Sequence, residues 1–515
     1  MSSCRRNLLL PLLLMALLLL PAAPAGATGQ ASAEQPRVLL LYDSLASGTP
    51  RGGNIPELQR QLAAYHMQVT LISLNHYEQG AMKGFSNVIT VINDRELAVS
   101  KAAEEDIAGY KGQYLHVGYN PPDVMKQAMK LNTGMIAEES AKLTFGLFRE
   151  ESLMLRQVPY IAASSAERAY GSLSLTGSGT EVPYAVSSGR FTYVPYLEAG
   201  NAGKLAMLEV LKDWLGAGAP AQTYLVIKEI YPFSDLALLE ELAGRLYEAG
   251  VPFIASVRPV FSNTDFPAMQ RYLEALKAVQ SKNGSILVNA PVVMPSINSS
   301  DLTLNGKMNS FLNLLADNGI APLGMGADIS WTYDKEYAAA GMSFFDSVVL
   351  FQDEDVIHRE ETNVSTAFAS SLYSVTPEFL SGLKHEGKAV PQLPADTAVT
   401  VNLPEDKAGL EALLQTVNSY WITFADYKQT GHKVVTDTYT VDSAGGVIRV
   451  NGSPINVDYM PEAVSSDFEY QEEQYQSFKA LFSVQNKFFI VVIAVALLLF
   501  GVLLTVGYRL YRKKY

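Results

Sequence analysis

The sequence predicts an α/β protein with an N-terminal doubly wound parallel sheet, a second parallel α/β domain, a small β-rich module and one transmembrane helix. Three observations predict this class. Short apolar runs alternate with helical patterns over residues 36–385, hairpin-like strands follow after residue 391, and an uncharged apolar run covers residues 488–508. Strands that alternate with helices are typical of parallel sheets, whereas closely spaced strands with turns are typical of antiparallel ones.

Residues 1–27 have the three parts of a secretory signal peptide. Arg5 and Arg6 precede an apolar run, and small residues around Ala25 to Ala27 offer a cleavage site. The run is shorter than the roughly 20 residues that a membrane span needs. Cys4 is the only cysteine, so the mature chain would have no thiol for disulfides, metal sites or nucleophilic catalysis.

The C-terminal run, residues 488–508, is long enough to cross a membrane. A basic cluster follows it in residues 509–515, whereas only Lys487 stands directly before it. This asymmetry predicts a single-pass cell-membrane protein with a cytoplasmic tail, a stalk at 466–487 and an extracytoplasmic bulk. The net charge of −13 argues against nucleic acid as a partner.

Residues 36–170 are predicted to form a flavodoxin-like or Rossmann-like domain. Its first strand, Val38 to Tyr42, is followed by three glycines at positions 48, 52 and 53. This loop lies where doubly wound folds bind ligands. It matches neither a Walker loop nor the dinucleotide fingerprint, so a plain turn is favoured over a phosphate cradle.

A glycine- and serine-rich stretch from Gly171 to Gly189 is predicted to be a boundary loop before the second domain, residues 190–385. The strand–helix order in this domain predicts a second parallel sheet, either open or closed into a barrel. A helix capped by Ser234 or Asp235 lies between its first two strands. The β-rich module, 391–465, includes Thr397 to Asn402 as an expected antiparallel strand.

Four segments of the chain resemble the NodB-related polysaccharide deacetylases, in particular the YdaL-like family of membrane-anchored bacterial proteins associated with exopolysaccharide synthesis. The segments are Phe191 to Val194, Leu225 to Phe233, Val251 to Val257 and Gly284 to Asn289. The resemblance implies a deformed (β/α) barrel of deacetylase type, with its site at the carboxyl ends of the strands.

The resemblance also implies that the catalytic centre is degenerate. Active relatives carry an acidic pair, a general base and a metal ligand, where this chain has Lys228 and Glu229. Their two metal-binding histidines correspond to Asn289 and Val293, and valine cannot bind a metal. An active zinc deacetylase stays open as an alternative, with Glu229, Asn289 and a distant residue such as Asp328 as rearranged ligands. Lys228 could instead place its own charge in the former metal site.

Other catalytic patterns are not found in the sequence. No Gly-x-Ser-x-Gly or His-Glu-x-x-His motif occurs. The histidines are scattered, and no two have ligand spacing: His66, His76, His116, His358, His385 and His432. We therefore expect no metal cofactor, with zinc as the alternative, and favour a non-catalytic protein while an enzyme stays open.

The expected function is binding of a polysaccharide or envelope glycan, or scaffolding of exopolysaccharide synthesis proteins. The ligand-binding candidates surround the mouth of the predicted barrel: Glu229, Asn289, Tyr231, Asn263, Asp265 and Trp331. Tyr231 and Trp331, together with Phe233 and Phe261, would offer sugar-stacking surfaces, although aromatic residues are more often part of the core. A structural envelope protein that only mediates protein contacts is the remaining alternative.

Overall fold

The computed structural model describes residues 36–97, 99–291, 303–352, 362–385, 392–419, 422–458 and 479–514. The chain divides into two compact units, Met1–Val464 and Ser465–Tyr515. The predicted signal peptide, 1–27, and residues 466–478 of the predicted stalk lie outside the described residues.

The first part of the larger unit is a sheet with helices on both faces. Its strands are β1 (Arg37–Tyr42), β2 (Gln68–Ser73), β3 (Asn87–Ile92), β4 (Gln113–Gly118), β5 (Asn132–Phe145), β6 (Phe148–Ala163), β7 (Arg168–Leu175), β8 (Glu181–Ser188) and β9 (Phe191–Val194). Its helices are α1 (Asn54–Ala64), α2 (Lys101–Gly109), α3 (Asp123–Met129) and α4 (Gly203–Trp214), and a short 3₁₀ turn covers Leu74–His76.

The predicted parallel sheet is confirmed for the order β2-β1-β3-β4-β9. Alternate side chains of β1 belong to different cores. Val38 and Leu40 pack in the cluster that contains residues of α1, and Leu39 and Leu41 pack in the cluster with residues of α2 and α3. Burial on both faces explains why the strand is a continuous apolar run.

The boundary loop predicted at Gly171 to Gly189 is wrong, because this stretch belongs to the antiparallel pair β7–β8. The sheet continues beyond β9 in the order β8-β7-β5-β6. Gly171 has a φ of 57°, and a Cβ there would lie 2.8 Å from the Thr144 carbonyl oxygen. This glycine therefore permits a close approach within the sheet, which is a common role of glycine in strands.

The second part of the larger unit is a closed parallel barrel, which confirms the second parallel α/β fold. Its strands are β10 (Thr223–Ile230), β11 (Phe253–Val257), β12 (Gly284–Asn289), β13 (Pro322–Asp328), β14 (Ser347–Phe351), β16 (Ser370–Val375) and β18 (Thr397–Asn402). Its helices are α5 (Leu236–Glu248), α6 (Pro267–Ser281), α7 (Thr303–Asp317), α8 (Ile329–Tyr333), α9 (Lys335–Tyr337), α10 (Pro377–Ser381) and α11 (Lys407–Ser419), with a π-helical turn at Ala338–Met342.

Two strand assignments made from the sequence are wrong. Phe191 to Val194, expected in the barrel, is β9 and pairs with β4 of the first sheet. Thr397 to Asn402, expected in an antiparallel module, is β18, which runs parallel to both β10 and β16 and closes the barrel. Both strands are short, and their side-chain pattern does not reveal the direction of the partner strand.

Segments of the second half also extend the first sheet and cover the end of the barrel. β15 (Thr362–Val364) pairs with β2, and β17 (Lys384–His385) pairs with β6. A separate antiparallel sheet contains β19 (His432–Val435), β20 (Thr440–Ala444), β21 (Val447–Val450) and β22 (Ser453–Pro454), preceded by a 3₁₀ turn at Tyr427–Gln429. Gly445 and Gly446 form the turn between β20 and β21, with φ angles of 58° and 80°.

Helix α1 joins the first sheet to the barrel through buried polar groups. Glu57 is 1% exposed and accepts hydrogen bonds from Arg60, Gln61 and Tyr373, the last of which lies on β16. Arg60 also donates a 3.4 Å hydrogen bond to Ser374 of the same strand. Burial raises the pKa of Glu57, but the neighbouring cations and hydrogen bonds outweigh it and hold this pKa below its ordinary value.

The smaller unit contains helix α12 (Lys479–Lys514). Among the described residues, no helix is found with an apolar stretch long enough to cross a membrane. The predicted span at 488–508 is therefore not confirmed and stays a prediction.

Candidate functional site

The mouth of the barrel contains the acidic residue that the sequence singles out, Glu229. One extra residue in β10 shifts its pairing with β11 between Ile227 and Ile230, and Glu229 lies in this bulge with a φ of 59°. A left-handed backbone is strained for a residue other than glycine, by roughly 1–3 kcal/mol, and such strain is concentrated at functional sites. The bulge directs the carboxylate towards the end of β11.

Glu229 is held by two neighbouring side chains. Arg258, just beyond β11, donates from Nη2 to Glu229 Oε1 at 2.9 Å, and the Tyr231 hydroxyl donates to Oε2. Partial burial raises the pKa of Glu229, but these hydrogen bonds and the charges of Arg258 and Lys228 lower it further, to below its ordinary value. The carboxylate is therefore ionised and already neutralised by a cation of the protein.

Arg258 also connects the ends of two strands. Its Nη1 donates to the Ala290 carbonyl oxygen, which follows β12, at 2.9 Å. The guanidinium thus lies between the carboxyl ends of β10 and β12 and places a fixed positive charge there.

Lys228 does not point away from the barrel mouth. Its Nζ lies 4.9 Å from the ring centroid of Phe351, at the end of β14. A Cβ on Gly326 would lie 2.6 Å from the Phe351 ring and 2.9 Å from Ser256 Oγ. The ring therefore fills space beside Gly326 and Ser256. Asn289, at the end of β12, is 4% exposed.

The remaining candidates lie in different surroundings. Tyr231 stacks on Phe233, with ring centroids 4.7 Å apart, and Phe233 is 83% exposed. Asn263 and Asp265 are exposed residues of the turn before α6. Trp331 is buried against Tyr337, with ring centroids 4.8 Å apart, so the structure assigns it to the core.

Asp328, a ligand of the metal-dependent alternative, is the residue at the N-cap of α8. Val293, which corresponds to a histidine of active relatives, lies outside the described residues. In the described part of the chain, no cluster of three or more His, Cys, Asp or Glu side chains is placed to hold a metal ion. The metal-dependent alternative stays untested.

A serine–histidine–aspartate group that the sequence did not predict lies below the barrel. Ser347 Oγ is 2.8 Å from His432 Nδ1 and donates to Asp346 Oδ1 at 2.6 Å. In a catalytic triad the carboxylate contacts the histidine, whereas here it contacts the serine. Ser347 is fully buried, so this group stabilises the contact between β14 and β19.

A second candidate site is a cleft of about 1130 Å³ at the carboxyl edge of the first sheet. Its floor is the end of β1 and the loops after β2, β3 and β4, and its wall is residues 135–137 of β5 with Gln157 of β6. The strand order changes direction between β1 and β3, which is where parallel α/β sheets bind ligands. The glycine-containing loop at 43–53 borders the cleft at the end of β1.

Two charged residues of the cleft, one of them buried, hold its loops in place. Asp43 Oδ2 accepts hydrogen bonds from the backbone N–H groups of Asn93 and Asp94, at 2.8 and 2.7 Å. Arg51 donates to the carbonyl oxygens of Gln157 and Asn93, at 3.0 and 3.3 Å, and its guanidinium lies 5.1 Å from the Tyr119 ring centroid. These two side chains thereby fix the loop at 43–53 to the loops after β3 and β4 and to β6.

The chain matches no family model. It is similar to the uncharacterized protein YdaL of Bacillus subtilis (strain 168), with 23% identity over 290 residues. The similarity covers 54% of this chain and 49% of YdaL, so the chain spans about half the length of this curated relative. A YdaL-like relationship is supported, and it carries no activity because YdaL itself is uncharacterized.

Proposed function

We propose that this protein is a non-catalytic glycan-binding protein of the bacterial cell envelope. Its barrel would be a degenerate form of the polysaccharide deacetylase type, its bulk would be extracytoplasmic, and residues 488–508 would anchor it in the membrane. The observation that carries the proposal is the state of Glu229, whose carboxylate is already paired with Arg258 and hydrogen bonded by Tyr231. A general base or metal ligand needs a free carboxylate lone pair and a metal or water next to it.

An exposed aromatic platform supports binding as the remaining role of the barrel mouth. Phe233 is 83% exposed and stacks on Tyr231, whose hydroxyl is fixed by Glu229. A flat ring beside a carboxylate and an arginine offers both a stacking face and hydrogen-bond partners to a sugar ring.

The test is a titration of the full chain in detergent with chitohexaose, an acetylated oligosaccharide of the kind that deacetylases act on. We expect binding without release of acetate, and roughly 2–10-fold weaker binding for Phe233→Ala, because an aromatic contact is worth about 0.5–1.5 kcal/mol. Tyr247→Ala is the matched control, since Tyr247 is 53% exposed on α5. Release of acetate, or equal affinity of both variants, would refute the proposal for this mouth.

A further inference from the structure

The cleft of the first sheet has balanced charges. Four charged residues line it, Asp43, Arg51, Asp94 and Arg95, and their formal charges cancel. Asp43 and Arg51 are already used by backbone groups, so neither offers a free charge to a ligand. Asp94 and Arg95 are exposed at the rim, and because their charges are opposite they give the cleft no net preference for an anion or a cation.

The glycine-containing loop is not a phosphate cradle. Its backbone N–H groups donate within the loop: Thr49 to Ala46 at 3.1 Å, Gly52 to Thr49 at 2.9 Å and Asn54 to Arg51 at 3.1 Å. The Arg51 N–H donates to the Thr49 hydroxyl at 3.2 Å. A phosphate-binding loop needs such N–H groups to point at the ligand. This result agrees with the plain turn that the sequence favours.

Two residues with a strained backbone line the cleft. Ala46 and Gln157 both line the cleft, and their φ angles are 52° and 48°. The strand pairs Ile136–Val158 and Glu138–Arg156 flank Gln157, which is not paired itself. Its carbonyl oxygen accepts hydrogen bonds from Arg51 and the Tyr119 hydroxyl instead. Strain held in place by several contacts is typical of ligand sites.

Apart from Asp94 and Arg95, the groups left to meet a ligand are uncharged. Exposed hydroxyl and amide residues lie at the rim, namely Ser44, Ser47 and Asn75, and Met135 adds an apolar face that is 41% exposed. Hydroxyl and amide groups can both donate and accept hydrogen bonds, which suits a ligand rich in hydroxyl groups. The volume slightly exceeds the roughly 300–1,000 Å³ usual for small-molecule sites.

We infer that this cleft binds a neutral, polyhydroxylated ligand, namely a short saccharide, at a site separate from the barrel mouth. The site goes beyond the proposed function, because it belongs to the first sheet and does not depend on Glu229 or Phe233. A bound saccharide would fill the space between the loop at 43–53 and the wall at 135–137.

The test measures hydrogen exchange of the full chain with three hexasaccharides: neutral chitohexaose, its deacetylated cationic form and anionic hexagalacturonate. We expect chitohexaose to protect segments 43–53 and 135–137. Ala137→Trp should abolish this protection and weaken binding at the cleft roughly tenfold or more, because the indole would occupy the cleft. Ala163→Trp is the control, since Ala163 is exposed on β6 and does not line the cleft.

Each outcome decides the inference. Protection that persists in Phe233→Ala and is lost in Ala137→Trp supports the cleft, even if the barrel mouth binds nothing. The inference is overturned if chitohexaose gives no protection of 43–53 and 135–137, if Ala137→Trp keeps it, or if a charged hexasaccharide protects these segments more strongly. Loss of binding in Phe233→Ala alone would place the saccharide at the barrel mouth only.

Discussion

The substitution Tyr373→Phe tests how helix α1 is attached to the barrel. The Tyr373 hydroxyl donates to the buried carboxylate of Glu57, which also receives hydrogen bonds from Arg60 and Gln61. Phenylalanine keeps the ring, whose centroid lies 5.2 Å from the Arg60 guanidinium, and removes only the donor. The substitution therefore isolates one hydrogen bond to a buried charge.

The expected loss is about 2 kcal/mol in the free energy of unfolding. Hydrogen bonds to charged groups contribute roughly 1.5–3 kcal/mol, and Glu57 keeps two of its three donors. The hydroxyl of Tyr373 is fully buried, so water cannot replace the lost donor without a rearrangement. The urea midpoint of the full chain, followed by circular dichroism, should fall accordingly with an unchanged slope.

Tyr196→Phe is the matched control for this measurement. Tyr196 is 1% exposed, and its hydroxyl has no hydrogen-bond partner among the described residues. Removal of an unsatisfied buried hydroxyl should leave stability unchanged or raise it slightly. If Tyr373→Phe and Tyr196→Phe unfold at the same urea concentration, the Tyr373–Glu57 hydrogen bond does not stabilise the contact and the reasoning is wrong.

Two further predictions concern the first sheet. Burial raises the pKa of Glu198 to about 7, so the folded state keeps a proton that the unfolded chain loses near pH 4.5, and stability should fall as pH rises between these values. At pH 8, Glu198→Gln should restore up to about 3 kcal/mol of the free energy of unfolding, whereas at pH 4.5 it should change little. If the free energy of unfolding of the variant and of the unsubstituted protein depends on pH in the same way, this prediction is wrong. Gly171→Ala should destabilise by about 2 kcal/mol, and Gly189→Ala by about 1 kcal/mol, since both have positive φ but only Gly171 meets a backbone oxygen. Equal thermal unfolding of the two variants would show that the close approach to Thr144 does not matter.

The parts of the fold predicted correctly are those in which a strand is buried on both faces. Val38 to Tyr42 is such a strand, and its apolar run identifies it without knowledge of its partners. The wrong predictions concern segments whose role depends on the strands they pair with. Thr397 to Asn402 alternates like an antiparallel strand, yet β18 is parallel to its neighbours because the barrel must close there. Gly171 indicates a loop by composition, although it permits a close contact in β7.

The two candidate sites could likewise be predicted only in part from the sequence. Lys228, Glu229 and Tyr231 could be placed at a strand end because β10 is an evident apolar run. The partner of Glu229 could not be predicted, since Arg258 follows a different strand and no sequence spacing relates the two. The glycine loop could be placed at the carboxyl edge of the first sheet, but the wall of the cleft there comes from β5 and β6, about 100 residues further along the chain.

Helix α1 connects the cleft with the barrel, so it attaches the first domain to the second. Asn54, its first residue, donates to Asn93 of the cleft at 2.8 Å. One turn later Glu57 contacts Tyr373, and two turns after Asn54, Arg60 contacts Ser374, both on β16 of the barrel.

Breaking a buried charge network costs several kcal/mol, so the helix should keep its place on the barrel when the cleft is filled. Ligand binding in the cleft would then order the loop at 43–53 without moving the barrel. Hydrogen exchange at 370–375 should accordingly stay unchanged when chitohexaose protects the loop, and protection of β16 as well would show that α1 transmits the binding event.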